Sequence, residues 1–446
     1  MPIDLLITNG QVVTPDGMRG ANVAVDNGVI VAIGDEAPAA KETTDATGLH
    51  VFPGVIDPHV HFNEPGRADW EGVATGSSAL AAGGGTTYFD MPLNSHPPVL
   101  DGETFDAKVA ASTGKAYADF ALWGGLTPTN LDKLEELADR GVIGFKAFMS
   151  NSGIEEFGRA DDLTLYRAMQ IAAARGLIVA VHAESEEITS RLSGEMVAAG
   201  KASARDFADS RPIIAEVEAI ARAITLAQEA GCRLHIVHVS SSRGVEIVQW
   251  AVLRKDADVT CETCAHYLTF TVDDLERIGP RAKCAPPLRE AVEVELLWKD
   301  LVAGRISFVT SDHSPAPESM KTGPFWQAWG GISGVQSTLP VLLSNDSPRL
   351  ALPLVAKISS TNVAARFGVA KKGRLAEGFD ADVILVAKDE SYTLTKEELL
   401  DRNKLSPYVG RKFRGRIKRT ILRGQTMFAD GRIVGEPIGR LLKPTT

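Results

Sequence analysis

The chain has 446 residues, with 47 Lys and Arg against 57 Asp and Glu for a formal charge of −10, and it is 44% hydrophobic and 23% charged. Average globular usage over roughly three domain lengths excludes disorder, collagen or coiled coil as a whole-chain description. The acidic balance argues against a nucleic-acid or anionic-membrane surface, and Cys232, Cys261, Cys264 and Cys284 are too sparse for a disulfide scaffold.

MPIDLLITNG has no basic n-region, long apolar run or cleavage site. No stretch offers about 20 apolar residues, so a soluble, cytoplasmic protein is expected. The first 52 residues read as short strands joined by tight turns. DLLITNGQVVTPDGM (4–18) and ANVAVDNGVIVAIGD (21–35) set Asn-Gly and Asp-Gly between β-branched runs, a hairpin signal. ADVILVAKD (381–389) and RTILRGQTMFADGRIVGE (419–436) repeat that style near the other end. The two ends, 1–52 and 370–446, are therefore expected to pair into one small sheet domain rather than stand as two unrelated appendages.

The middle, 53–369, alternates differently. Strand candidates fall at 54–62, 86–91, 119–126, 142–149, 177–183, 234–239, 258–263 and 306–311. Helical stretches such as 161–176 and 216–231 lie between them, each ending at Gly, a common residue just past a helix. Eight strands alternating with helices predict an α/β fold, a (β/α)₈ barrel of the TIM type. The rival, a doubly wound open sheet, wants a Gly-rich phosphate loop after its first strand. GVIDPHVHFNEPG (54–66) puts histidines there instead.

Asp57, His59 and His61 alternate, so their side chains share one face of the first barrel strand. Lys146 lies inside the apolar VIGFKAFM, where a lysine is costly unless paired or modified. His182 and His238 close LIVAVHA and LHIVHV, and Asp312 follows ISFVTS. The candidates thus sit near the C-terminal ends of strands 1, 4, 5, 6 and 8, the face on which this fold builds active sites. Each alone reads equally well as a satisfied core residue; five strands agreeing points to a metal site. Imidazole and carboxylate suit Zn²⁺ and similar ions, and Mn²⁺ or Co²⁺ tolerate the same set. Four histidines and an aspartate exceed one open zinc site, whereas two metals about 3.5–4 Å apart use them all. Two metals need a bridging anion, which an unmodified Lys146 cannot supply. Cys261 and Cys264 have no second pair and read as structural. The Arg67–Glu71 stretch reads as a loop over the barrel mouth or a solvated one, His313 as structural or pocket-lining, and the basic run at 411–423 as a solvated face or subunit contact.

Together DPHVHF, the Lys of GFKAF, His182, His238 and SDH resemble the cyclic amidohydrolases: dihydropyrimidinase, hydantoinase, dihydroorotase and allantoinase. The resemblance implies that Lys146 takes up CO₂ as a carbamate (N6-carboxylysine) bridging two divalent ions, Zn²⁺ by default. His59, His61 and Asp312 would hold one ion and His182 and His238 the other, with a hydroxide between them. It further implies a β-sandwich made from both termini, a homotetramer, and Asp312 as the proton shuttle. The dihydroorotase pattern has Arg two residues after the second histidine; Asn63 stands here. EPGRADWEG, MPLNSHPP, SRPIIAEVEAI, VTCETCAHYL, AKCAPPLR and AWGGISGVQS look like the allantoinase family, with allantoin as substrate. Substrate contacts are then expected at Asn63, Asn94, Asn151 (where dihydropyrimidinases carry Tyr), Ala285 and Gly330. Rival readings are a hydantoinase or dihydropyrimidinase and a non-catalytic scaffold, and scaffolds lose ligands that are all present here.

Overall fold

The computed structural model, in which residues 1–345 and 350–445 are described, sets the first and last strands side by side. His50–Pro53 is the seam. It runs parallel to Ile3–Thr14 through Gln11 and Val12, and antiparallel to Val383–Thr393 through Val383 to Val386. Outward from the seam lie Gly17–Asp26 and Val29–Gly34 on one side and Lys412–Leu422, Gln425–Ala429 and Arg432–Ile433 on the other. Leu5, Ile7, Val12, Val23, Val51, Val383, Leu385 and Ile421 are buried together, so residues from both ends fill one core.

One expected turn is not a turn. Asn9-Gly10 lies inside the first strand, where the register with Gly17–Asp26 slips between Ile7 and Gly10. Asn9 takes φ 61°, and a Cβ on Gly10 would sit 2.4 Å from Val51 Cγ2. The pair makes a bulge that lets the seam strand approach. The turns fall at Asp16-Gly17 and Asn27-Gly28, where Gly28 has φ 77°.

The eight strands of the middle are Val55–Val60, Gly85–Asp90, Asp119–Leu122, Phe145–Phe148, Ile178–His182, Arg233–Ile236, Val259–Cys264 and Phe308–Thr310. Neighbours are parallel, in chain order. The Ile143 N–H on Leu122 O (2.9 Å) and the His61 N–H on His313 O (2.8 Å) close the ring into a barrel. The two helices foreseen between strands span Asp162–Ala174 and Ile213–Ala230; Gly176 (φ 66°) and Gly231 (φ 63°) follow them in the left-handed region.

The terminal sheet is fastened to the bottom of the barrel by charge. Buried Lys372 bonds Asp119 (2.6 Å) at the start of strand 3, together with Asp380 (2.9 Å) and Asp382 (2.8 Å), and Arg423 also pairs with Asp119. The basic run is neutralised rather than bare: Arg416 meets Glu390 and Glu398, Lys418 meets Glu390, and Arg419 meets Glu42. No helix among the described residues is long and apolar enough to cross a membrane.

Candidate metal centre and pocket

Strand pleating sends His59 and His61 to the same side, over the C-terminal mouth of the barrel. Asp312, just past strand 8, comes between them: its Oδ1 is 3.2 Å from His59 Nε2 and 3.5 Å from His61 Nε2. Asp57 is turned behind this pair and accepts the Ser311 N–H (3.2 Å), so the first strand holds the loop that carries Asp312. Asp312 has φ 44° and His238 φ 41°. Left-handed backbone at non-glycine residues costs about 1–3 kcal/mol each and collects at functional sites.

Two carboxylates orient the rings from behind. Glu262 on strand 7 meets His59 Nδ1 at 2.5 Å and His235 Nε2 at 3.0 Å. Glu184 meets His182 Nε2 at 2.7 Å and is itself gripped by Arg211. A carboxylate on one ring nitrogen sets the tautomer and leaves the other nitrogen to face the mouth. His59 therefore offers Nε2 and His182 offers Nδ1. The His238 ring lies 5.4 Å from His59 and 4.6 Å from His182, and its buried Nδ1 has no protein partner.

Lys146 on strand 4 is fully enclosed. Its Nζ lies 3.8 Å from the centre of the Phe148 ring, which stacks on His182 at 4.5 Å. It has no hydrogen bond or ion pair among the described residues. Burial pushes its ammonium down to about 7, against the pull of Asp312 and Glu262. Burial works against charge on Asp312 too, but His59, His61 and His238 hold that carboxyl far below its usual range.

These residues fit a metal. The ligand atoms of His59, His61 and Asp312 all lie within 4.8 Å of one another, and four imidazoles, two of them oriented by buried carboxylates and one with an unpartnered Nδ1, are otherwise hard to justify in one buried spot. A second grouping, Cys264, His266 and Asp312, shares the aspartate. Burial drives the Cys264 thiol well above its usual value, so it is held as a weak ligand. Removing metal with a chelator is expected to abolish activity while the far-UV circular dichroism stays native, because the fold has its own cores; coincident unfolding would make the ions structural.

The mouth opens into a cavity of about 310 Å³ that includes all four of these histidines and Asp312, small-ligand size rather than polymer size. Asn94, Asn151, Ala285 and Gly330 line it. Asn63 does not: at φ 64° the chain turns away, and its Nδ2 reaches Pro315 O at 3.4 Å. His313 is also outside, with Nδ1 accepting the Gly334 N–H (3.2 Å). The loop after strand 1 is packed, not solvated. Glu71 is buried and Trp70 meets Trp329 edge-on at 4.9 Å. All four cysteines are free and buried.

Glu184 and Glu262 are functional residues that sequence reasoning did not single out. The available signal was a glutamate two positions after a candidate ligand histidine and another inside a barrel strand.

The amidohydrolase family model matches residues 50–427. An allantoinase of Rubrobacter xylanophilus is 55% identical over 445 residues, covering 99% of this chain and 98% of that one. An allantoinase of Deinococcus radiodurans is 52% identical over 448 residues, covering 100% and 99%. Among solved structures, the L-hydantoinase (dihydropyrimidinase) from Arthrobacter aurescens superposes with a TM-score of 0.96 at 34% identity, covering 99% of this chain and 100% of that one.

Proposed function

The chain belongs to the amidohydrolase family, and from that membership and the ligand geometry we propose that it hydrolyses the hydantoin-ring amide of allantoin to give allantoate. The observation that carries the substrate is near-full-length identity of 44–55% to several allantoinases, against 34% or less to the hydantoinase and dihydropyrimidinase structures. The cavity's size agrees.

The enzyme depends on metal. His59, His61 and Asp312 would hold one divalent ion and His182 and His238 a second, and a carbamate on Lys146 would supply the anionic ligand this set lacks, with Zn²⁺ as the ion. The enclosed Lys146 supports this: the neutral amine is the form that adds CO₂, and a buried lysine gains partners once it becomes a carboxylate. When bound, such ions bring the pKa of a water close to neutrality and polarise a carbonyl oxygen.

The chain's own residues do the rest. Asp312, whose Oδ1 lies between His59 Nε2 and His61 Nε2, is the base in this reading: it takes a proton from the attacking water and returns it to the departing ring nitrogen. One C–O bond forms and the ring C–N bond breaks. Glu262 and Glu184 keep His59 and His182 in fixed tautomers throughout. Phe148 and Trp329 wall the cavity and limit bulk water. The amides of Ala285 and Gly330 have no acceptor among the described residues, so both can bond the ring's polar edge. Location in the cytoplasm and a homotetrameric assembly complete the reading.

A ring-opening assay on metal-loaded protein tests it, with allantoin, hydantoin, dihydrouracil and dihydroorotate side by side. Allantoin is expected to lead in kcat/KM by roughly 100-fold or more, the discrimination a pocket with matched polar groups delivers. Equal turnover of plain hydantoin or dihydrouracil would replace allantoin by a broad ring-amide specificity.

A further inference from the structure

Two buried lysines beside the cavity have no carboxylate partner among the described residues. Lys283 donates to the carbonyls of Phe325 (2.7 Å), Ala328 (2.6 Å) and Trp326 (3.3 Å). Lys321 donates to Trp329 O (2.9 Å), to Pro280 O (3.4 Å) and to Gly331 O. Five carbonyls of one seven-residue segment, 325–331, thus point at two ammonium groups. Burying an ammonium is expensive, and carbonyls alone compensate it less well than a carboxylate does. Phe207 and Phe325 flank Lys283, their ring centres 4.8 and 5.2 Å from its Nζ, and supply no charge. A segment that merely needed to be tied down has cheaper means.

The arrangement has a directional result. In a trans peptide the C=O and N–H point opposite ways. Trp329 O and the Gly330 N–H belong to one peptide unit, so drawing that carbonyl onto Lys321 aims the Gly330 N–H the other way. The neighbouring amides are all occupied: Gln327 and Ala328 on Pro324 O, Trp329 on Met320 O, and Gly331 on Lys283 O. Gly330 alone in that run keeps an uncommitted N–H, and Gly330 lines the cavity. A cation at the carbonyl end also polarises the peptide and makes its N–H a stronger donor.

We propose that Lys321 and Lys283 are positioning residues for ring binding: together they shape segment 325–331 so that one cation-polarised peptide N–H, that of Gly330, meets a carbonyl oxygen of the cyclic amide. This rests on the reading of the site as a cyclic-amide hydrolase, though not on allantoin as the ring. Lys321 acts directly on the Trp329–Gly330 peptide. Lys283 holds the stretch before it and, through its own carbonyl, the Gly331 amide (2.7 Å).

The test is Lys321→Met, Lys283→Met and Lys321→Arg as metal-loaded proteins, assayed on whichever ring of the panel the parent opens fastest. The two Met variants are expected to raise KM about tenfold or more, with kcat and metal content close to the parent and a lowered melting temperature from the carbonyls left unpaired. Lys321→Arg, which keeps a cationic donor, is expected to recover most of the KM. An unchanged KM in folded, metal-loaded Lys321→Met would overturn the proposal, as would a loss confined to kcat. Hydrogen exchange on the unmutated holoenzyme covers the case of a variant that does not fold. Saturating hydantoin is expected to protect one additional amide in the peptide spanning 325–332, and no added protection there also overturns it. Failure of allantoin in the panel changes only the ring used here, so the two readings fail separately.

Discussion

Replacing Lys146 by alanine is expected to remove most bound metal and to lower kcat/KM by more than about 10³-fold, since a metal-dependent water loses both its activation and its electrostatic surroundings. The reason is the enclosure of this side chain. Its Nζ lies 3.8 Å from the centre of the Phe148 ring and makes no hydrogen bond or ion pair among the described residues. A plain lysine there makes no ion pair and is pushed by burial toward its neutral form, against the pull of Asp312 and Glu262. If Lys146 carries the proposed carbamate, the alanine variant leaves a space that a short carboxylic acid such as propionate can fill, and partial recovery of both metal content and activity is expected. Plasma emission spectrometry alongside the ring-opening assay reads the two together. A Lys146→Ala protein with its full complement of metal would remove the bridging role.

The second large effect is expected from Asp312→Asn, an isosteric change that leaves shape and takes away basicity. Position-matched proton transfer contributes about 10²–10⁴-fold, so kcat is expected to fall by that amount with KM moving much less. Asp312 is suited to the role because His59, His61 and His238 surround it and overcome the penalty of burial, which keeps it ionised. Its backbone sits at φ 44°, next to Ser311, whose N–H is held by Asp57. A kcat within about tenfold of the parent would dismiss Asp312 as the shuttle and leave it a ligand at most. Metal content, measured on the same preparation, separates the two functions.

Much of the architecture was legible because the relevant patterns are local. Strand-helix alternation needs only a dozen residues at a time, and His59, His61, Lys146, His182, His238 and Asp312 each stand at a recognisable strand end. Turn-rich text at both ends, with the family resemblance, pointed to their pairing. What stayed hidden depends on what a side chain meets across the fold. Glu184 and Glu262 look like ordinary surface glutamates until His182 and His59 are seen in front of them. Nothing local marks Lys283 and Lys321, whose six carbonyl partners come together only in the fold. Asn9-Gly10 carries a strong turn signal, but the approach of Val51 decides for a bulge, and Val51 is far away in sequence. Asn63 followed the same logic: its place two residues beyond His61 said nothing about the left-handed turn that takes it out of the cavity.

The seam at His50–Pro53 has a consequence for the order in which the molecule is made. Its partner strand begins at Val383, so everything from the first ligand histidine to the last is synthesised before that edge can be covered. Until then Ile3–Pro53 stands with a bare strand border while the barrel assembles from parallel neighbours, a pairing that is intrinsically slow. An unpaired border of that kind is a template for other chains. The nascent polypeptide is therefore most vulnerable to association late in translation. Its last strands act as the cap that ends the hazard, in a protein whose catalytic half is by then already complete.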